Sequence, residues 1–385
     1  MSEFQYHEWQ AVDRVLTPEE QAAVNDLSSH IEVSSSRAVV TYHWSDFRHD
    51  PKQVLLKYFD AYFYLANWGS LQLMFRFPKG LLDVDNIEPY CFDEYITFET
   101  IGKYQVLDLD FSPEYCGSGW MKAEADLAHF IRLRADLMEG DYRLLYLAWL
   151  KAITFFGDLD DYDDKEFEDN DPDSAANNLE PPVPPGLKKL TPSLQDFVQV
   201  FEIDPFLVLS AAESSPDLKK VMTVDYRELI GRLPRSECDD FLVRLAESDP
   251  GVGLALRKRL GAFQPQERPQ PTRHRTIQQL NQRARQLEKA EKVRQAEAAH
   301  QKHIAEMKAL ADHEVQVWQQ VETLLDTGHK IAAVYDEATG MLEMLNQLSE
   351  FQDTRDSFQA RLQKLAQKYA SRPSLIDRWK KRGWV

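Results

Sequence analysis

Hydrophobic residues recur at helical spacing through the last quarter of the chain, and this pattern predicts three consecutive helices. In the segment 304–325, apolar positions three and four residues apart fall on one stripe of a helix, which only Glu314 interrupts. The same spacing returns over 331–348 and over 358–369. Because the connections between the segments are short, neighbouring helices must run antiparallel. The pattern therefore predicts a three-helix hairpin bundle.

The first of these helices is longer than its neighbours require. If it begins near Thr276, it extends over about fifty residues, or roughly 75 Å, so residues 277–303 are predicted to project as an arm. Few large apolar residues and many charged ones occur along this arm. Two interpretations stay open: a solvated helix held by i,i+4 ion pairs, or a docking surface for another protein, a second copy of the chain or an acidic partner. The candidate partner-binding residues are Leu280, Arg283, Leu287 and Arg294.

Alternating apolar segments and helix-start signals near the N-terminus predict an α+β domain over residues 1–157. The predicted strands cover 3–12, 37–44, 71–77, 95–100 and 104–111. The predicted helices cover 17–27, Asp50 to about Asn67, 123–139 and 142–156. The first of these helices begins with a capping box formed by Thr17 and Glu20. This order of elements predicts a mixed sheet with helices covering one face.

The composition of the chain predicts two linkers and two further domains. Residues 158–187 combine an acidic tract with a proline-rich segment and are predicted to form a solvated linker or an acidic decoy for a basic surface. Residues 188–263 carry the capping signals of several short helices, which predict a small all-helical domain. A second proline-rich linker covers 264–275, and 276–385 contains the long helix and the predicted bundle.

Overall composition limits the classes of protein to consider. The 385 residues carry a formal net charge of −18, which argues against nucleic-acid binding over the whole surface. The three cysteines are far apart, so neither a disulfide framework nor a thiolate zinc site is predicted. Neither a membrane-spanning apolar run nor a signal-peptide pattern is present, and we expect a cytoplasmic protein.

Recognisable catalytic motifs are missing from the sequence. His300 and His303 lack the spacing of a zinc-binding H-E-x-x-H motif, and no glycine-rich nucleotide-binding loop or G-x-S-x-G motif occurs. We therefore predict no metal and no cofactor, and the balance of motifs favours a protein without enzymatic activity. Nucleic-acid contact through the basic segment Arg273–Arg294 stays open, although few aromatic residues are interleaved with its charges.

A polar group in the N-terminal domain is the candidate ligand site. Asp60, Asn67, Trp68 and Arg76 occur among aromatic residues in this part of the chain. More charged residues occur near a predicted helix–helix turn: Arg134, Asp136, Asp141 and Arg143. Charged side chains in apolar surroundings need partners, so an internal ion-pair network that fixes helices to the sheet is one interpretation. A pocket for a small ligand or a peptide would use the same residues.

Several short segments resemble a family of bacterial proteins of similar length. The segments are Ser2-Glu3-Phe4-Gln5-Tyr6, Asp13-Arg14, Leu16-Thr17-Pro18-Glu19-Glu20, Tyr58-Phe59-Asp60-Ala61, Ala66-Asn67-Trp68-Gly69, Leu133-Arg134-Ala135-Asp136-Leu137 and Glu180-Pro181-Pro182-Val183-Pro184-Pro185-Gly186-Leu187. The resemblance covers essentially the full chain and implies a bacterial cytoplasmic origin. It implies no activity, cofactor or catalytic residue.

Together these patterns predict a multidomain protein of the bacterial cytoplasm that acts in protein–protein interaction or assembly. Its C-terminal helical arm is the predicted surface for association with another protein or with a second copy of itself. One alternative is a ligand-binding or hydrolytic enzyme with its site in the N-terminal α+β domain. A second alternative is a nucleic-acid-associated accessory protein that binds through the basic arm.

Overall fold

The computed structural model describes residues 3–112, 125–160, 179–218, 225–247, 251–263, 275–327 and 332–384. The chain divides into two compact units, Met1–Glu288 and Lys289–Val385. The N-terminal part contains an antiparallel sheet with helices, and the remainder is mostly helical.

Seven strands form one sheet within the described residues. They are β1 (Gln5–Gln10), β2 (Ile31–Val33), β3 (Arg37–Tyr42), β4 (Ala61–Ala66), β5 (Leu71–Pro78), β6 (Ile96–Ile101) and β7 (Tyr104–Phe111). Their order across the sheet is β2-β3-β1-β4-β5-β7-β6, and each described pairing is antiparallel. The prediction of a mixed sheet is therefore wrong. Short turns join β4 to β5 and β6 to β7, and a turn of that length can only reverse the chain.

The first unit also contains ten helices that lie wholly within its described residues. They are α1 (Pro18–Asn25), α2 (Pro51–Tyr58), α3 (Val84–Ile87), α4 (Ile131–Met138), α5 (Arg143–Asp160), α6 (Pro192–Val200), α7 (Pro205–Ser214), α8 (Tyr226–Ile230), α9 (Arg235–Ala246) and α10 (Val252–Gly261). Single 3₁₀ turns cover Glu88–Tyr90 and Leu127–His129. The capping box at the start of α1 is confirmed, since Thr17 and Glu20 bond each other's backbone N–H groups.

Strand β4 corrects the prediction of one helix from Asp50 to about Asn67. Asp50 does cap α2, but the backbone becomes extended at Phe59 and continues as a strand. β4 is the middle strand of the sheet and is buried on both faces, with Phe63 on one side and Tyr62 on the other. A segment that is apolar on both faces has the same sequence pattern whether it is a buried helix or a central strand.

The two faces of the sheet belong to different cores, and helices cover both of them. One face carries Phe63 and Phe75 and packs with α4 to α7. The other face carries Trp9 and Met74 and packs with α1 and α2. The prediction that helices cover only one face is therefore wrong. The first core also contains Leu187, at the end of the predicted linker, and Leu194, in the predicted helical domain. Residues 161–178 of that predicted linker lie outside the described residues.

The second unit is helical in its described residues. Its chain follows α11 (Ile277–Asp312), which begins in the first unit, with α12 (Glu314–Thr327), α13 (Ala332–Phe351), α14 (Arg355–Lys368) and α15 (Pro373–Lys380). Side chains of α12 to α15 share one core that includes Trp318, Leu342, Leu362 and Trp379. The predicted first helix is thus interrupted at His313, and α15 is an additional helix that the spacing did not predict. Among the described residues, no helix is both long enough and apolar enough to cross a membrane.

Candidate functional site

Asp60 and Arg76, two of the four predicted ligand-binding residues, are buried in a direct ion pair. Arg76 Nη2 lies 2.7 Å from Asp60 Oδ1. The other carboxylate oxygen of Asp60 accepts hydrogen bonds from the backbone N–H groups of Val12 and Asp13, at 2.7 and 2.9 Å. Arg76 Nη1 donates to the carbonyl oxygen of Leu56 at 2.7 Å. Both side chains are therefore committed to internal partners.

Arg134 of α4 extends this ion pair into a network. Its Nη1 and Nη2 atoms bond the two carboxylate oxygens of Asp13 at 2.9 and 2.7 Å, and its Nε donates to the carbonyl oxygen of Arg76. We call Asp13, Asp60, Arg76 and Arg134 the buried quartet. Burial alone would raise the pKa of Asp60, but the guanidinium groups of Arg76 and Arg134 outweigh it and hold that pKa below its ordinary value. The quartet fixes α4 to the sheet, as the internal-network interpretation predicts.

Asn67 and Trp68 lie in the turn between β4 and β5, away from the quartet. Six residues of β4 separate Asp60 from Asn67, or about 20 Å of extended chain. Asn67 Oδ1 accepts a hydrogen bond from the backbone N–H of Phe4, and Trp68 Nε1 donates to Ser70 Oγ, each at 3.0 Å. The four predicted residues therefore do not come together in one site.

The charged residues of the predicted helix–helix turn also have internal partners. Arg143 bonds the carboxylate of Asp141 and donates to the carbonyl oxygens of Gly186 and Lys189. Asp136 pairs with Arg132 at 3.0 Å. The contacts of Arg143 hold the segment around Gly186 and Lys189 against the start of α5.

The predicted partner-binding residues fall into two groups along α11. Leu280 is fully buried in the first core, and Arg283 makes a double hydrogen bond to Glu213 of α7 at 2.8 and 2.6 Å. Leu287 is half-buried, and Arg294 is exposed and pairs with Glu291. The expectation that the whole arm lacks an internal partner is thus wrong for its first turns. Ala284 lies one turn after Leu280, and its small side chain allows α11 to pack closely against the first core.

A different set of polar side chains forms a row across the sheet. The strand register places His7 opposite Tyr64, Tyr64 opposite Gln72, and Gln72 opposite Asp110. Directly opposite residues of antiparallel strands project from the same face, with Cβ atoms about 5 Å apart. These four residues, which we call the polar row, therefore cross β1, β4, β5 and β7 without interruption. His7 is buried, and the other three are half-buried.

His7 lies among aromatic rings and uses only one of its ring nitrogens. Its Nδ1 is 2.9 Å from the hydroxyl of Tyr62, and its ring centroid is 4.6 Å from that of Tyr64. Its Nε2 is buried and has no hydrogen-bond partner among the described residues. Burial lowers the pKa of His7 to about 4, against a smaller opposing effect of Asp46. The imidazole is therefore neutral at pH 7.

Asp110, at the other end of the row, also has an unused polar atom. Its Oδ1 is buried without a partner in the described part of the chain. Burial raises the pKa of Asp110, and the nearby carboxylate of Asp108 adds to this effect, although hydrogen bonds from Ser112 oppose it. Asp108 itself is fully engaged, because it pairs with Lys52 at 2.9 Å and accepts from Gln72 at 2.8 Å.

The loop between β3 and α2 borders the His7 end of the row. Asp46 accepts a hydrogen bond of 2.6 Å from the side-chain amide of Gln5, which in turn accepts from the Tyr64 hydroxyl at 3.4 Å. Phe47 packs against the His7 ring, and Trp44 is 78% exposed. The His7 end of the row is thus flanked by the carboxylate of Asp46 and the ring of Phe47, and Trp44 is an exposed residue of the same loop.

Sequence reasoning missed this row, although the sequence contains a signal for it. Gln5 and His7 alternate with Tyr6 and Glu8 in β1, so polar residues occur on both faces of a central strand. Asp108 and Asp110 are charged residues spaced by two in strand β7, whose other residues carry no charge. Polar side chains at such positions are uncommon in a sheet that is covered on both faces.

The separation within the row favours binding over acid–base catalysis by its two ends. Three strand spacings of about 4.8 Å place His7 and Asp110 roughly 14 Å apart. A catalytic acid and base must each come within hydrogen-bond distance of the proton that they transfer. Side chains this far apart are spaced to contact different groups of one molecule and not to share one proton.

No group of three histidine, cysteine, aspartate or glutamate side chains comes together as a metal site within the described residues. Cys91 and Cys238 are free thiols. In comparisons with known proteins, the chain matches no family model, no curated protein and no solved structure.

Proposed function

We propose that the polar row of the N-terminal sheet binds a small polar ligand that is neutral or cationic. The observation that carries this proposal is that His7 Nε2 and Asp110 Oδ1 are both buried without a partner among the described residues, on one row of one face. A buried polar atom without a hydrogen bond costs about 1–3 kcal/mol. A ligand that bonds both atoms recovers that energy on binding.

Charge around the row sets the class of ligand. Asp46 and Asp110 lie at the two ends, while the nearby cation, Lys52, is held by Asp108 and Glu99 at 2.9 Å each. A carboxylate at each end of the row repels an anion, whereas a ligand with N–H or O–H donors would bond these carboxylates. The exposed ring of Trp44 offers a face on which a cation or a planar group can stack.

Titration of the full chain with three probe compounds tests this function. Spermidine represents a polyamine, choline a quaternary ammonium ion and methyl glucoside a neutral polyol. The readout is the proton NMR signal of the His7 imidazole, which is assigned by its loss in His7→Gln. We expect at least one probe to shift this signal saturably, and Asp110→Asn to weaken that binding about tenfold.

Asp217→Asn is the matched control for this titration. Asp217 is an exposed aspartate that pairs with Lys188, so the same substitution removes the same charge at a position outside the row. Affinity should stay at the wild-type value in this variant. A His7 signal that responds to none of the three classes of probe would contradict the proposed function.

A second candidate function is assembly with another protein or with a second copy of the chain through α11. The observation that favours it is a run of twelve consecutive exposed residues, 292–303, in the middle of this helix. Because Leu280 belongs to the first core, deletion of the whole arm would disturb the fold. The double variant Arg294→Glu and Lys302→Glu changes only exposed positions and is the cleaner test.

Light scattering and pull-down from the native host measure this second function. We expect the charge-reversed chain to lose association while its melting temperature stays unchanged. Equal association of the two chains would contradict the candidate. Nucleic-acid contact through Arg273–Arg294 stays an expectation, and three described arginines of this segment, Arg275, Arg283 and Arg294, each pair with a glutamate.

The proposed assembly function retains two sequence-based expectations. Short connections between α12, α13 and α14 support an antiparallel hairpin bundle. Three widely spaced cysteines support a reducing bacterial cytoplasm as the place of action.

A further inference from the structure

A cavity of about 520 Å³ lies in the first unit, between the turn that follows β5 and the helices α9 and α10. Four of the ten residues that line it are cationic: Lys79, Arg244, Lys258 and Arg259. The described lining contains no acidic side chain. Since the whole chain carries a formal charge of −18, this is a local reversal of sign.

Two of the cations are fixed in place by hydrogen bonds. Lys258 Nζ donates to the carbonyl oxygens of Gly80 and Leu81, at 3.2 and 3.4 Å, and so links the helical wall to the turn. An ammonium group has three protons, so one more donor is available to a ligand. Arg259 bonds Glu237 through Nε and Nη2, at 2.7 and 3.1 Å, which leaves its Nη1 for another acceptor.

We infer that this cavity binds a small, multiply charged anion of the phosphate-ester or polycarboxylate type. Glu237 balances the charge of Arg259, while Lys79 and Lys258 add positive charge to the lining that a bound anion would offset. Guanidinium and ammonium groups are the usual partners of phosphoryl and carboxylate oxygens. The volume falls within the range of about 300–1,000 Å³ that is typical of small-molecule sites. This site is separate from the polar row, where the end charges are acidic.

Calorimetric titration of the full chain with pyrophosphate, and separately with citrate, tests the inference. We expect saturable binding of one anion per chain, with a Kd that rises as salt is added. Lys79→Ala and Arg244→Ala remove cations from opposite walls of the cavity, and each should raise the Kd about tenfold. The preferred anion tells whether the site recognises phosphoryl or carboxylate groups.

Arg235→Ala is the matched control. Arg235 lies on α9, like Arg244, and its substitution removes the same charge, but Arg235 does not line the cavity. Its Kd should stay within about twofold of the wild-type value. The inference is overturned if neither anion gives saturable heat, or if Arg235→Ala weakens binding as much as Arg244→Ala does.

Discussion

The buried quartet and the polar row belong to the same sheet but satisfy their polar groups differently. In the quartet, both oxygens of Asp60 are bonded, and each guanidinium faces a carboxylate. In the row, one nitrogen of His7 and one oxygen of Asp110 have no partner among the described residues. Buried charge with complete pairing indicates a structural role, whereas the unused hydrogen-bonding capacity of the row is the basis of the proposed ligand site.

Asp60 and Asp110 illustrate the difference. Burial acts to raise the pKa of both Asp60 and Asp110. Two nearby guanidinium groups reverse this effect at Asp60, while the charge of Asp108 reinforces it at Asp110. Neighbouring charge, more than depth of burial, therefore decides whether an ionised carboxylate stabilises or destabilises the fold.

The largest expected effect is on the quartet. Asp60→Asn removes the charge that Arg76 and Arg134 share, and an amide cannot accept all of the hydrogen bonds of the carboxylate. Removal of one partner from a buried ion pair costs about 3–5 kcal/mol. We therefore expect a loss of that size in the free energy of unfolding, measured by urea denaturation at pH 7.

Asp217→Asn again supplies the comparison for this substitution, because its pair with Lys188 is exposed. Its denaturation midpoint should match that of the wild type. If Asp60→Asn costs less than about 1 kcal/mol, the quartet is not a structural lock. Asp60 and Arg76 would then return as candidates for ligand binding.

The next largest effect is a pH dependence caused by His7. The pKa of His7 is about 4 in the folded chain, and its ordinary value of 6.5 applies in the unfolded chain. Between these values the unfolded chain binds a proton that the folded chain excludes, so the free energy of unfolding falls as the pH falls. The loss amounts to roughly 3 kcal/mol across this window and stops below it.

His7→Gln isolates this contribution, because glutamine does not titrate. Denaturation of both chains between pH 4 and 8 gives their difference in stability, from which all other groups cancel. This difference should be constant above about pH 6.5 and should shift by roughly 3 kcal/mol towards pH 4. Parallel curves for the two chains would show that His7 titrates normally in the folded state.

Much of the fold could be predicted where local sequence decides the structure. The Thr17–Glu20 capping box and the helix start at Asp50 rest on contacts within a few residues, and both are present. β4 was misassigned because its two faces enter different cores, which the local pattern does not distinguish from a buried helix. Helix α15 is only eight residues long, which is too short for a clear periodic pattern. Its Trp379 is buried in a core formed with α12 to α14, and local sequence does not show that contact.

The candidate site was less predictable, because it depends on strand register. The sequence leaves two interpretations open for Asp60 and Arg76, an internal ion pair or a ligand pocket. Strand pairing decides between them, because the β4–β5 register brings Asp60 beside Arg76. The row of His7, Tyr64 and Asp110 joins residues that are far apart in sequence. A shift of one residue in the register of any of these strands would place the row residue of that strand on the opposite face of the sheet.

A smaller effect of opposite sign is expected for Asp110→Asn. A carboxylate whose pKa is raised in the folded state stabilises the fold less as the pH rises through that pKa. Its neutral replacement should therefore stabilise the ligand-free protein at pH 7, on the order of 1 kcal/mol, and the gain should vanish in acid. Urea denaturation at pH 7 and at pH 3 measures both values. If Asp110→Asn instead lowers the free energy of unfolding at pH 7, then the Asp110 carboxylate stabilises the fold, as the carboxylates of the quartet do.

The smallest effect on stability is expected for Tyr64→Phe. The hydroxyl of Tyr64 contacts Gln5 at 3.4 Å, a long hydrogen bond, so its loss should change the free energy of unfolding by no more than about 0.5 kcal/mol. The substitution should nevertheless lower, by about three- to tenfold, the affinity for the probe compound that shifts the His7 signal. Tyr90→Phe is the control: its hydroxyl bonds the Pro182 carbonyl at 2.7 Å in the other core, so it should lower stability and leave affinity unchanged. Equal losses of affinity in both variants would mean that unmet hydrogen bonding in the row does not identify the binding site.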